Sequence, residues 1–104
     1  MAERTLYKLR LTINGKHCTR VIIDQHYREK HKNIDDELIL SLVKTLDHQV
    51  FPIETRENGF EYFAVEPVIT QGKSFRLVLL LCVFDDYLGV INAFRVKMKG
   101  RNHD

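Results

Sequence analysis

From Thr5 to Ile13 the chain alternates. Tyr7, Leu9, Leu11 and Ile13 fall on one side, and Lys8, Arg10 and Thr12 on the other. A period of two marks a half-buried strand. Asn14-Gly15 follows, and both residues accept the positive φ of a tight hairpin turn. Residues 16–23 run back and end in Val21-Ile22-Ile23, so the chain opens on a β-hairpin. Asp24 can cap the next element through its carboxylate, and residues 25–31 read as a short helix. A second helix starts at Asn33 or Asp35. Its apolar set, Ile34, Leu38, Ile39, Leu42, Val43 and Leu46, forms one stripe at helical spacing. Asp35, Asp36 and Glu37 in its first turn, and Lys44 and His48 near its end, suit the helix macrodipole.

The remainder reads as β. Val50–Thr55 is a short strand that Pro52 pushes to a sheet edge, and Arg56–Gly59 is a turn. Phe60–Val65 is a strand, and Pro67–Lys73 is a loop around Gly72. Ser74–Phe84 is a continuous apolar run, the pattern of a central strand covered on both faces. Asp85-Asp86 turns the chain, and Tyr87–Met98 returns as the last strand. The order ββ-αα-ββββ predicts an α+β fold: an N-terminal β-hairpin and two helices packed on one face of a mostly antiparallel sheet. One domain covers 1–98, followed by a polar tail at 99–104.

Composition narrows the class. With 104 residues, 44% apolar and 29% charged, the chain matches an ordinary globular domain. A net charge of +2 does not by itself announce nucleic acid. Basic residues gather at Arg28–Lys32 and Arg95–Arg101, which read equally as solvated faces. Cys18 and Cys82 sit in apolar strands without a CxxC spacing, as free thiols in a reducing compartment do. The apolar run is too short to span a bilayer as a helix. No apolar leader follows Met1. These features imply a soluble cytoplasmic protein with no membrane partner.

Groups able to move protons concentrate in one stretch, Asp24-Gln-His-Tyr-Arg-Glu-Lys-His-Lys-Asn33. The spacing of His26 and His31 does not put both on one helix face, and no Cys or carboxylate set completes a metal site. His26 with Glu29, and Tyr27 with His31, lie within reach on a helix. A carboxylate beside an imidazole fixes its tautomer and makes it a general base or acid; an ordinary polar helix surface carries the same residues. Arg76 and Arg95 sit among apolar residues on the last strands. With the turn at Asp85-Asp86, Arg76 faces Arg95, and like charges so placed need an anion or carboxylates between them. Glu61 or Glu66 on a neighbouring strand would serve as well as a bound anion. Phe60 and Tyr62 offer an aromatic surface on which a base can stack, or simply pack. There is no glycine-rich phosphate loop and no serine-nucleophile motif.

A histidine-bearing first helix followed by strands with arginines, including Gly72-Lys-Ser-Phe-Arg-Leu-Val-Leu-Leu80 and Val90-Ile-Asn-Ala-Phe-Arg95, resembles the RelE/ParE-like toxins. These belong to a broader group of small metal-independent ribonucleases. The resemblance covers about residues 20–97 and rests on element order. It implies RNA cleavage by attack of a 2′-hydroxyl on the neighbouring phosphate. His26 or His31 would be the base or acid, Glu29 the orienter, and Arg76 and Arg95 the phosphate clamps. Arg28, Tyr62 and Lys73 would bind substrate, with no cofactor. RNA or the ribosome, and an antitoxin-like protein, would be the partners. Two departures stand out: the charge is milder than ribosome-directed toxins carry, and the chain opens with two strands. The competing class is a non-catalytic interaction module, which pairs through an exposed sheet edge with a partner or a second copy.

Overall fold

The computed structural model describes residues 3–97. Met98 and the expected tail at 99–104 lie outside the described residues. Six strands form one mixed sheet in the order β1-β2-β6-β5-β4-β3: β1 (Arg4–Ile13), β2 (Lys16–Asp24), β3 (Thr55–Glu57), β4 (Phe60–Thr70), β5 (Lys73–Cys82) and β6 (Tyr87–Val96). The first two form the opening hairpin, with Asn14 and Gly15 at φ of 55° and 75°. β2 lies parallel to β6, with Arg20 opposite Tyr87 and Ile23 opposite Val90, and the other neighbours are antiparallel.

The expected α+β arrangement of two helices on a sheet is corrected. Of the described residues, 57% lie in strands and 15% in helical turns. The first expected helix is only a 3-10 helix, Gln25–Glu29, whose single buried side chain is Tyr27. Residues 25–31 are otherwise polar all round and offer no apolar stripe to repay the cost of nucleating an α-helix. The second is α1 (Asp36–Lys44), capped by the Asp35 carboxylate, which accepts from the Leu38 amide at 2.8 Å. Ile39, Leu42 and Val43 of α1 are buried, as are Ile34 and Leu46 just beyond its ends.

Strand limits differ too. Residues 50–54 carry no ladder, and β3 begins only at Thr55. β4 runs through the expected loop to Thr70, with an irregularity between Val65 and Val68 that leaves Glu66 and Pro67 outside the ladder.

The apolar run of β5 is covered on one face only. Phe75, Leu77, Leu79 and Leu81 are buried against α1 and its flanks, whereas Arg76, Val78, Leu80 and Cys82 are half-exposed on the other face. With one nine-residue helix available, a six-stranded sheet cannot be roofed on both sides.

The expected Arg76–Arg95 pairing is one residue out. Arg76 lies opposite Phe94 and Phe75 opposite Arg95. Successive side chains alternate across a strand, so the one-residue slip places the two arginines on opposite faces.

One-sided burial predicts an asymmetry between neighbours. Leu79→Ala empties a closed core site and should lower stability by about 3 kcal/mol. Leu80→Ala, on the open face, should lower it by about 1 kcal/mol. Urea unfolding of both variants tests this. Equal losses would mean that the second face is also covered.

Candidate functional site

The open face is laid out in rows by the strand registers. Leu6, Ile22, Gly89, Leu80 and Tyr62 are successive cross-strand partners, as are Lys8, Arg20 and Tyr87. Phe94 with Arg76 forms a row nearer the end of β6. A cleft of about 400 Å³ opens here, lined by Ile22, Leu80 and Ile91 below and by Phe60, Tyr62 and Tyr87 around it, with Arg4 and Asp24 at its rim. Gly89 makes the floor: a Cβ there would sit 2.8 Å from a Leu80 methyl. Arg20 stacks over the Tyr87 ring at 5.6 Å and pairs with Asp85 and Asp86, the latter at 2.8 Å. The Thr19 hydroxyl and Arg20 hold the Asp86 carboxyl down at about 2.

Asp24 closes β2 and caps the 3-10 helix. Its Oδ1 accepts from the His26 amide at 3.0 Å and lies 2.7 Å from His26 Nδ1. Partial burial pushes this carboxyl up, but the two His26 hydrogen bonds and nearby positive charge outweigh it, so its pKa lies below the ordinary value. An ionised carboxylate only accepts, so Nδ1 carries a proton, and in the neutral imidazole the lone pair is then on Nε2. The ring's orientation is thus fixed by a neighbour in its own turn.

Behind this turn is the most crowded polar group of the described residues. Asp36 is 8% exposed. Its carboxylate accepts from Tyr7 Oη and Tyr27 Oη, each at 2.6 Å, and from Gln25 Nε2 at 2.9 and 3.1 Å. Arg28 Nη2 lies 3.4 Å away. Burial raises the Asp36 carboxyl, but the donated bonds from Tyr27, Tyr7 and Gln25 prevail and its pKa falls below the ordinary value. The phenols respond in the opposite sense. Tyr27 is pushed up by burial and by its bond to Asp36, and Tyr7 chiefly by that same bond.

The residues singled out from sequence divide between the faces. His26 meets Asp24, which lines the cleft, and Asp24, rather than Glu29, is the carboxylate that holds it. Glu29 is an exposed residue at the end of the 3-10 helix. His31 stacks on Phe94 with centroids 5.3 Å apart, next to Arg76 across the ladder. Arg76 pairs with Glu66 at 2.9 Å. Tyr62 lines the cleft. Arg28 donates to Gln25 Oε1 and covers the Tyr27 ring at 5.5 Å, facing the Asp36 group. Arg95 and Lys73 line a separate hollow of about 130 Å³ on the helix side with Asn33, Thr70 and Phe75. They do not join Arg76, so no clamp of Arg76 with Arg95 exists.

Sequence reasoning missed Asp24 as the partner of His26, and Asp36, Tyr7 and Gln25 altogether. The signal for Asp24 was present: a helix cap two residues before a histidine places one carboxylate over both its amide and its ring. Nothing local marks Tyr7, which reaches Asp36 from 29 residues away in the chain.

No protein-family model, curated protein or solved structure matches the chain. Among the described residues no helix is long and apolar enough to cross a membrane.

Asp36 dictates a pH dependence. Its folded pKa is depressed, so its contribution is full above the ordinary carboxylate pKa and is lost as pH falls through the lower, folded value. Asp36→Asn should therefore be less stable than the parent at pH 7, by about 1–3 kcal/mol. The gap should narrow as the parent is acidified below the usual carboxylate range. Urea midpoints of both proteins at pH 7, 5 and 3 measure it, and a pH-independent gap would contradict an ionised Asp36.

Proposed function

We propose that this chain cleaves RNA without a metal, in the manner of the RelE-like ribonucleases it resembles, and that the open sheet face is the site. One observation carries the reading: a carboxylate that lines an aromatic-walled cleft, Asp24, holds the Nδ1 of His26. Tyr62 and Tyr87 line the cleft over an apolar floor and would give a nucleobase a surface to stack on, since every base offers a π-face. Arg4 and Arg76 bring positive charge to the same face for the phosphates.

The chemistry follows from those groups. His26 Nε2 takes the proton of a ribose 2′-hydroxyl, and the oxygen attacks the adjacent phosphorus. The P–O5′ bond breaks, and the leaving oxygen takes a proton from His31 acting as the general acid. The products are a 2′,3′-cyclic phosphate and a 5′-hydroxyl. Arg76 stabilises the charge that develops on the phosphorane. Arg95 takes no part, because it projects from the other face.

A second reading is favoured by a different observation. Leu6, 49% exposed, extends the apolar row Ile22, Gly89, Leu80 and Tyr62 to the edge strand β1, as a surface for a partner chain or a second copy would.

Incubation with mixed-sequence RNA and with ribosome-bound message, both in EDTA, decides between them. The parent should leave cyclic-phosphate ends. His26→Ala should lose about 100-fold or more in rate, and Arg95→Ala should stay within about 3-fold of the parent, less than 1 kcal/mol of barrier. Undiminished cleavage by His26→Ala would sink the base assignment. No cleavage of either substrate, together with a stable dimer in sedimentation, would favour the interaction module.

A further inference from the structure

The His26 side chain sits on an element that cannot hold itself. A 3-10 helix of five residues has poorer hydrogen bonds than an α-helix and no cooperative length. Its two residues flanking His26 are both tied to one carboxylate: Gln25 through Nε2 and Tyr27 through its phenol, each to Asp36. Tyr27 also anchors the exit, since its carbonyl accepts from the amides of Lys30 at 3.2 Å and His31 at 2.9 Å. His26 between them projects the other way, to Asp24.

We propose that Asp36 is a positioning residue for His26: by fixing Gln25 and Tyr27, it holds the imidazole against Asp24 and so selects the Nδ1–H tautomer. Asp36 touches no part of the cleft. It acts through the turn, from the first residue of α1, and couples that helix to the histidine held on Asp24, a residue of the cleft on the other face. That coupling is independent of what the cleft binds, while its catalytic consequence rests on the RNA-cleavage reading.

The carboxylate offers its own control. Tyr7 and Tyr27 donate to it at the same 2.6 Å, but Tyr7 belongs to β1 and its hydroxyl bonds Asp36 alone, so it does not tie the 3-10 helix directly. Tyr27→Phe and Tyr7→Phe each delete one hydroxyl and keep the ring. If Asp36 positions His26, only Tyr27→Phe disturbs the imidazole. Ring ¹⁵N spectra of the folded parent and of both variants read the tautomer without any RNA present. The parent should hold His26 as Nδ1–H, Tyr7→Phe should match it, and Tyr27→Phe should shift toward the ordinary mixture with Nε2–H. Equal effects of the two variants, or none from Tyr27→Phe in a folded protein, would overturn the proposal.

If the parent cleaves RNA, Tyr27→Phe should also lower kcat about 10-fold or more with KM little changed, and Tyr7→Phe should leave kcat close to the parent. A tautomer shift in Tyr27→Phe together with no cleavage by the parent would remove the RNA reading and leave the positioning intact.

Discussion

The Asp36 carboxylate gathers hydroxyls from β1 and from the 3-10 helix at the start of α1. A buried carboxylate is costly unless its oxygens are filled by donors. Here two phenols and an amide fill them, and the same bonds fix how the hairpin, the turn and the helix sit together. Removing the carboxylate would leave two phenols without their acceptor, so the group specifies geometry more than it adds net stability.

The second constraint is the supply of helix. One face of the sheet is closed by α1 and its flanking residues, while on the other Leu6, Ile22, Leu80 and Tyr62 stay exposed or half-exposed and His31 overlies Phe94. That face is built of alternating aliphatic and aromatic side chains, with arginines at intervals and carboxylates beside some of them. Gly89 lowers its middle so that Leu80 can lie across the strand. The parallel β2–β6 pairing ends at Ile23 and Val90, and the 3-10 helix then continues alongside β6. This brings His31 onto Phe94 of the open face and His26 to Asp24, which lines the cleft.

Much of this was legible in the sequence where a local signal was strong. The Asn14-Gly15 turn and the stripe from Ile34 to Leu46 each identify one element, because the pattern has one reading. The run from Leu77 to Phe84 does not. Leu77, Leu79 and Leu81 are chemically the same as Val78, Leu80 and Cys82, so alternation is invisible and full burial on both faces looks natural. The Arg76–Arg95 pairing failed by one residue of register: the turn after Cys82 shifts the partners by two, the irregularity between Val78 and Leu79 takes one back, and a net slip of one is enough to send a side chain to the other face. His26 was found from residue type, but its partner was sought one helical turn ahead, at Glu29. The 3-10 geometry turns the imidazole back to Asp24. Asp36 was read only as a charge at a helix start, since the tyrosines that reach it come from distant strand and turn.

The central claim is that the open sheet face, with His26 held on Asp24 of its cleft, receives RNA. The most direct measurement is amide chemical-shift mapping with a single-stranded RNA whose 2′-hydroxyls are methylated, so that it binds without being cut. Saturable shifts centred on Asp24, His26, Tyr62, Gly89 and Ile91 are predicted, with α1 unaffected apart from its first turn. Shifts confined to the helix side around Lys73 and Arg95, or no saturable shifts at all, would contradict the account.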